Sequence, residues 1–226
     1  MRLRRPLAAT AVLAAVLVAG TIPAQASHLP ESNAEALEIL ADYYPGYWWD
    51  HTDITVAVQA APNVRPRYRA AVRDAIGTWD SVLRDEFDDL ITLTDVTDTA
   101  RNKQRADIVL HYVPKGGGMA FTGYAICGDH RCPNILVTSE FAQYPPITTK
   151  FLGQVTMHEL GHALGLGHAT NLLESTDLMG YGWPSLGEPV LSDCDLDALR
   201  YVFGWAFDGT EPAPPPVNGP YDCSQD

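Results

Sequence analysis

Residues His158-Glu159-Leu160-Gly161-His162-Ala163-Leu164-Gly165-Leu166-Gly167-His168 read H-E-x-x-H-x-x-G-x-x-H. An α-helix turns once per ~3.6 residues, so His158 and His162, four apart, project from one face at adjacent turns. Two imidazoles so placed can occupy two corners of a zinc tetrahedron, with Glu159 beside them as a general base. Gly165 lies where a helix commonly ends in a left-handed residue, a conformation that glycine adopts without steric cost. Reversal there brings His168 back as a third nitrogen ligand. Three neutral ligands and one open position describe a catalytic zinc site, because structural sites close all four positions with protein groups.

This extended motif is followed by Asp177-Leu178-Met179-Gly180-Tyr181. Together they resemble the metzincin metallopeptidases, whose signature is the long histidine motif and a methionine-containing turn. The flanking segments Ala106-Asp107-Ile108-Val109 and Leu191-Ser192-Asp193 look most like the matrixin branch. The likeness covers roughly residues 45 to 206 and rests mainly on the histidine motif. It implies a secreted endopeptidase that hydrolyses protein or peptide substrates. It further implies one catalytic Zn²⁺ on His158, His162 and His168, Glu159 as general base, and Met179 as an apolar floor beneath the imidazoles. Tyr181 has two readings: a group that binds the oxyanion, as in the astacin and serralysin branches, or a pocket wall together with Trp183. Matrixins also hold a second zinc and calcium ions, but no matching His and Asp spacing is visible. Asp85, Asp88 and Asp89 read as a solvated acidic face, with calcium an alternative that no spacing supports.

The amino terminus reads as a processing signal. Arg2, Arg4 and Arg5 precede an apolar stretch from Leu7 to Ile22, and Ala24-Gln25-Ala26 fits the small-x-small cleavage rule. We therefore expect a signal peptide over 1–26 and secretion to the extracellular space. A short leader follows over 27–44, then a catalytic domain over 45–208 and a Pro-rich tail over 209–226. No later apolar run is long enough to span a bilayer. Matrixins are often kept latent by a prodomain cysteine, and no cysteine precedes Cys127 here.

The whole chain carries 15 basic and 28 acidic residues; without the three signal arginines, 12 against 28 leaves a net charge near −16. Such a surface repels nucleic acid and anionic lipid, and we expect a monomer. Cys127, Cys132, Cys194 and Cys223 form an even set suited to an oxidising compartment. Three pairings are open, of which Cys127 with Cys132 and Cys194 with Cys223 is preferred; zinc binding by these cysteines is the rival reading.

The rest of the chain predicts an α/β (α+β) domain. Alternation over Asp53–Val58 predicts a half-buried strand, and Leu90–Thr94, Ile108–Val113 and Asn134–Thr138 read as further strands. Val72, Ala75, Ile76, Trp79, Val82 and Leu83 recur at helical spacing and predict an amphipathic helix over 66–84. The active-site helix should run over 149–164. A capping box at Ser192-Asp193-Cys194-Asp195 opens a terminal helix with Leu196, Leu199, Val202 and Phe203 on one face. A twisted, mostly parallel sheet with a large crossover helix accommodates this order, closed by a small C-terminal subdomain. By resemblance, Met119-Ala120-Phe121-Thr122 is the antiparallel edge strand above the cleft, where an extended peptide could pair; an ordinary surface hairpin is the alternative. Two other functional classes stay open, a zinc-bearing binding module without turnover and a hydrolase of non-peptide amides. An intact Glu159 argues against the first.

Overall fold

The structure is a computed structural model, and it describes residues 48–62, 64–101, 103–115, 123–127, 131, 133–140, 147–168, 177–180 and 189–215. Five strands form one sheet: β1 (Asp53–Ala60), β2 (Thr92–Asp95), β3 (Ile108–Lys115), β4 (Gly123–Ile126) and β5 (Asn134–Glu140), in the order β2-β1-β3-β5-β4. The β1–β2, β1–β3 and β3–β5 pairs are parallel, and β4 runs antiparallel to β5 at the edge. The parallel pairs require crossovers, and β1 connects to β2 through α1 (Pro66–Glu86). This is the mostly parallel sheet with an antiparallel edge that the sequence predicts.

β1 sits second from the edge, and Ile54, Val56, Ala57 and Val58 are all buried. Continuous burial, in place of strict alternation, marks a strand covered on both faces. α1 starts on Pro66, whose missing N–H costs nothing in a first turn. It buries Val72, Ala75, Ile76, Trp79 and Leu83. Its indole contact locks it to the next helix: Trp79 Nε1 donates to the carbonyl of Met157 in α2 (Thr149–Leu164) at 2.8 Å. α2 in turn buries Leu152, Val155, Leu160 and Leu164.

The sequence-derived bounds shift in places. Predicted as 90–94, β2 instead starts at Thr92, whose N–H donates to the Thr52 carbonyl at 3.0 Å, because the ladder can begin only where β1 begins. The described edge strand is β4, and the stretch Met119–Thr122 assigned to that role lies outside the described residues. So do the proposed signal and leader. The capping box is formed in full: Ser192 Oγ accepts from Asp195 N, and Asp195 Oδ2 accepts from Ser192 N at 3.0 Å. It opens α3 (Asp193–Val202), which is followed by the short α4 (Gly204–Phe207). Leu196, Leu199, Val202 and Phe203 are buried as their spacing predicts. No helix among the described residues is long and apolar enough to cross a membrane.

Candidate metal centre

Both ends of α2 are fixed by local chemistry. Thr148 caps the start, its Oγ accepting from Phe151 N at 3.1 Å. Gly165 ends it at φ 115°, in the left-handed region, and its N–H donates to the His162 carbonyl at 3.0 Å. Reversal at Gly165 returns His168 to the helix face that carries His158 and His162. The Nε2 atoms of His158 and His162 lie 3.0 Å apart, and those of His158 and His168 lie 3.3 Å apart. Among the described residues this is the set whose donor atoms can hold a metal ion.

Hydrogen bonding fixes what those nitrogens present. His158 Nδ1 lies 2.6 Å from the Leu178 carbonyl, and His162 Nδ1 lies 2.8 Å from the Leu166 carbonyl. A carbonyl oxygen only accepts, so Nδ1 carries the proton in both rings, and in a neutral ring Nε2 then holds a lone pair. Burial pushes the His158 pKa down to about 4 against the opposing Leu178 bond. Burial and then His158 likewise bring His168 to about 4. In His162, burial followed by the neighbouring His158 and His168 drives the pKa well below the ordinary value. At neutral pH the rings are therefore neutral. Facing lone pairs at 3.0 Å repel one another unless a cation lies between them. Nitrogens ~2.0–2.1 Å from a tetrahedral zinc stand roughly 3.3–3.4 Å from each other. The His158–His168 separation of 3.3 Å matches that ion, and the His158–His162 pair at 3.0 Å stands closer.

Glu159 is 7 % exposed and lies under β4. Burial raises its carboxyl pKa to about 8, opposed by a hydrogen bond from the Ala125 backbone. Gly123 at the start of β4 makes the approach: a Cβ there would collide with Glu159 Oε1 and come within 2.7 Å of Val155 Cγ1. Met179 is fully buried beneath α2. A Cβ on Gly161 would collide with its Sδ and reach 3.1 Å from its Cε. The turn carrying Met179 also supplies, through Leu178, the carbonyl that receives His158. Asp177 Oδ1 accepts from Met179 N at 2.7 Å. Burial raises the Asp177 pKa, with bonds from the Ser192 side chain and Met179 backbone opposing.

A third support comes from the start of the described chain. The buried Trp49 donates from Nε1 to the Ala163 carbonyl at 2.8 Å, next to His162 and 114 residues away in sequence. Its own carbonyl accepts from Trp205 Nε1 at 3.2 Å. Gly161, Gly123, Trp49 and Asp177 were not singled out from sequence. Gly161 gave a signal, since a glycine inside a helix costs ~1 kcal/mol relative to alanine and calls for a packing reason.

Other sequence-predicted positions fall as follows. His111, in β3, lies with Nε2 3.2 Å from Asn134 Oδ1 and outside the metal set. Asp89 pairs with Arg84 at 2.6 Å. Cys132 and Cys223, the partners expected for Cys127 and Cys194, lie outside the described residues. Tyr181 and Trp183 also lie outside them.

Comparison with known proteins agrees with this geometry. Interstitial collagenase of Bos taurus is 28 % identical over 187 residues, covering 74 % of this chain and 35 % of that protein. Metalloendoproteinase 1 of Glycine max is 27 % identical over 165 residues, covering 68 % and 51 %. Interstitial collagenase of Oryctolagus cuniculus is 27 % identical over 184 residues, covering 74 % and 35 %. The chain thus spans about a third to a half of the length of the curated relatives it matches. Residues 53–169 match the family described as metallo-peptidase family M12B, reprolysin-like. The metzincin-like character read from the motif is therefore sound, with collagenase relatives on one side and a reprolysin-like match on the other. Because that match takes in more than half of the chain and all three converging imidazoles, the chain belongs to the M12B, reprolysin-like family of metallopeptidases.

Proposed function

We propose that the chain is a secreted zinc endopeptidase whose single catalytic ion is held by His158, His162 and His168. The observation that carries this reading is the convergence of their Nε2 atoms at 3.0 and 3.3 Å, with the His158 and His162 rings fixed by Nδ1 bonds to carbonyls. Bound there, zinc supplies Lewis acidity toward water and a peptide carbonyl. Glu159 acts as the general base. Its carboxylate takes a proton from the attacking water and returns it to the leaving nitrogen. A positive centre beside it favours the ionised carboxylate and opposes the burial that raises its pKa. Among the described residues β4 is an edge strand, and we place an extended substrate antiparallel along it, holding the scissile bond over the site.

Met179 serves as the floor of the metal centre, supported by its packing under Gly161. For Tyr181 both roles remain in play, oxyanion donor and pocket wall, and Tyr181→Phe separates them through its effect on kcat at constant KM. The signal at 1–26 supports secretion, and the four cysteines support pairing of Cys127 with Cys132 and Cys194 with Cys223. The divisions at 27–44, 45–208 and 209–226 and the monomeric state belong to the same proposal. Mass-spectrometric profiling of a peptide library with the zinc-loaded chain tests it. Cleavage of internal peptide bonds that stops on chelation is the expected result. Zinc binding without cleavage points to the binding module instead.

A further inference from the structure

We infer that Asp177 is a positioning residue of the metal centre: it fixes the Leu178 carbonyl and thereby aims the His158 imidazole. The inference rests on the three-imidazole zinc reading above. His158 Nδ1 is 2.6 Å from the Leu178 oxygen, so the direction of its Nε2 follows the position of that carbonyl. Leu178 lies in the segment Asp177–Gly180, which belongs to no helix or strand of its own. Among the described residues the segment is held instead by three sets of bonds.

Leu178 N donates to the Val190 carbonyl at 2.8 Å, and Asp177 forms an isolated parallel bridge with Val190. Gly180 N closes the turn on the Asp177 carbonyl at 3.1 Å. Asp177 Oδ1 accepts from Met179 N at 2.7 Å. Met179 N belongs to the same peptide unit as the Leu178 carbonyl, so the Asp177 bond sets the direction of that carbonyl directly.

Burial gives this wiring its force. Asp177 is 4 % exposed, so bulk water has no ready access to replace a lost bond. Keeping a carboxyl group in such a place is costly, and a solvent-exposed turn could be closed by an Asp without that cost. The gain is geometric. Groups that orient a metal-bound histidine through its second nitrogen typically govern 10–100-fold in metal affinity. Asp177 controls the Leu178 carbonyl from the adjacent residue and the Met179 floor through its N–H.

The test compares wild type with Asp177→Ala and Asp177→Asn, both as the full chain. Zinc affinity is read by competition with a chelator of known Kd. The visible absorption of the Co²⁺-substituted protein reports ligand geometry, and metal-free thermal melts report stability alone. Asp177→Ala should weaken zinc binding about tenfold or more and alter the Co²⁺ spectrum. Asp177→Asn keeps an acceptor for Met179 N and should fall between. The Asn variant carries the comparison if Asp177→Ala does not fold. Lower melting temperatures with unchanged zinc affinity and unchanged spectra would overturn the inference alone. A wild-type chain that binds no stoichiometric zinc would overturn it together with the reading on which it rests.

Discussion

Gly161 and Met179 form a contact whose energy can be worked out in advance. Gly161→Ala places a methyl group inside α2, where alanine is favoured over glycine by ~0.8–1.0 kcal/mol. The new Cβ collides with Met179 Sδ and lies 3.1 Å from Met179 Cε, so the floor must shift. Overpacking of this kind typically costs ~1–3 kcal/mol. The net change in the wild-type background is a loss of up to about 2 kcal/mol. In a Met179→Ala background the obstruction is gone, and Gly161→Ala should stabilise by about 1 kcal/mol. The two effects differ by a coupling of roughly 1–3 kcal/mol, within the range of residues in direct contact. Urea unfolding of the four proteins, all with chelator so that zinc affinity does not enter, measures it. Equal stabilisation by Gly161→Ala in both backgrounds would refute the placement of Met179 under the helix.

Further predictions follow from the same contacts. Gly123→Ala should separate β4 from Glu159 and Val155, cutting peptide cleavage at least ~10-fold, equal to about 1.4 kcal/mol of barrier, while circular dichroism stays native. An unchanged rate would mean that β4 does not press on the base. Trp49→Phe leaves the Ala163 carbonyl without its indole donor and should cost ~1–3 kcal/mol, a fall of about 2–4 °C in Tm for each kcal/mol. Unaltered Tm would remove Trp49 from the support of α2. In a Glu159→Gln variant with chelator present, which removes the carboxyl raised to about 8 that opposes the effect, stability should fall as pH drops from about 6.5 toward about 4. His158 and His168 have folded pKa values near 4 and His162 lies well below the ordinary 6.5, so the unfolded chain takes up protons first and the three rings outnumber the opposing Asp177. A flat urea midpoint between pH 7 and pH 5 would contradict the burial of neutral imidazoles.

What sequence could and could not reveal divides along chain distance. His158 and His162 share a helix face by periodicity alone, and Gly165 ends that helix through a local backbone preference, so most of the metal set was legible. The bounds of α2 and the crossover sheet followed from pattern and connectivity for the same reason, whereas an antiparallel edge strand was implied only by the family resemblance. The partner contacts were not legible. Trp49 meets Ala163 across 114 residues, and no local spacing announces such a bond. Gly123 reads as any loop glycine until pairing with Val137 lays it against Glu159. Asp177 reads as a turn aspartate until its bond to Met179 N is seen to orient the Leu178 carbonyl against His158. These residues serve by position in three dimensions, and each is chemically ordinary in its own segment.

The central claim is that three imidazoles hold one zinc ion while Glu159, beside them and outside the ligand set, moves the proton. Metal content and peptide cleavage measured together on wild type and Glu159→Ala test it most directly. Both proteins should carry one zinc per chain, and the variant should cleave at least ~10²-fold more slowly, since general-base catalysis contributes ~10² to 10⁴. An alanine variant that retains its zinc and cleaves at the wild-type rate would contradict the account.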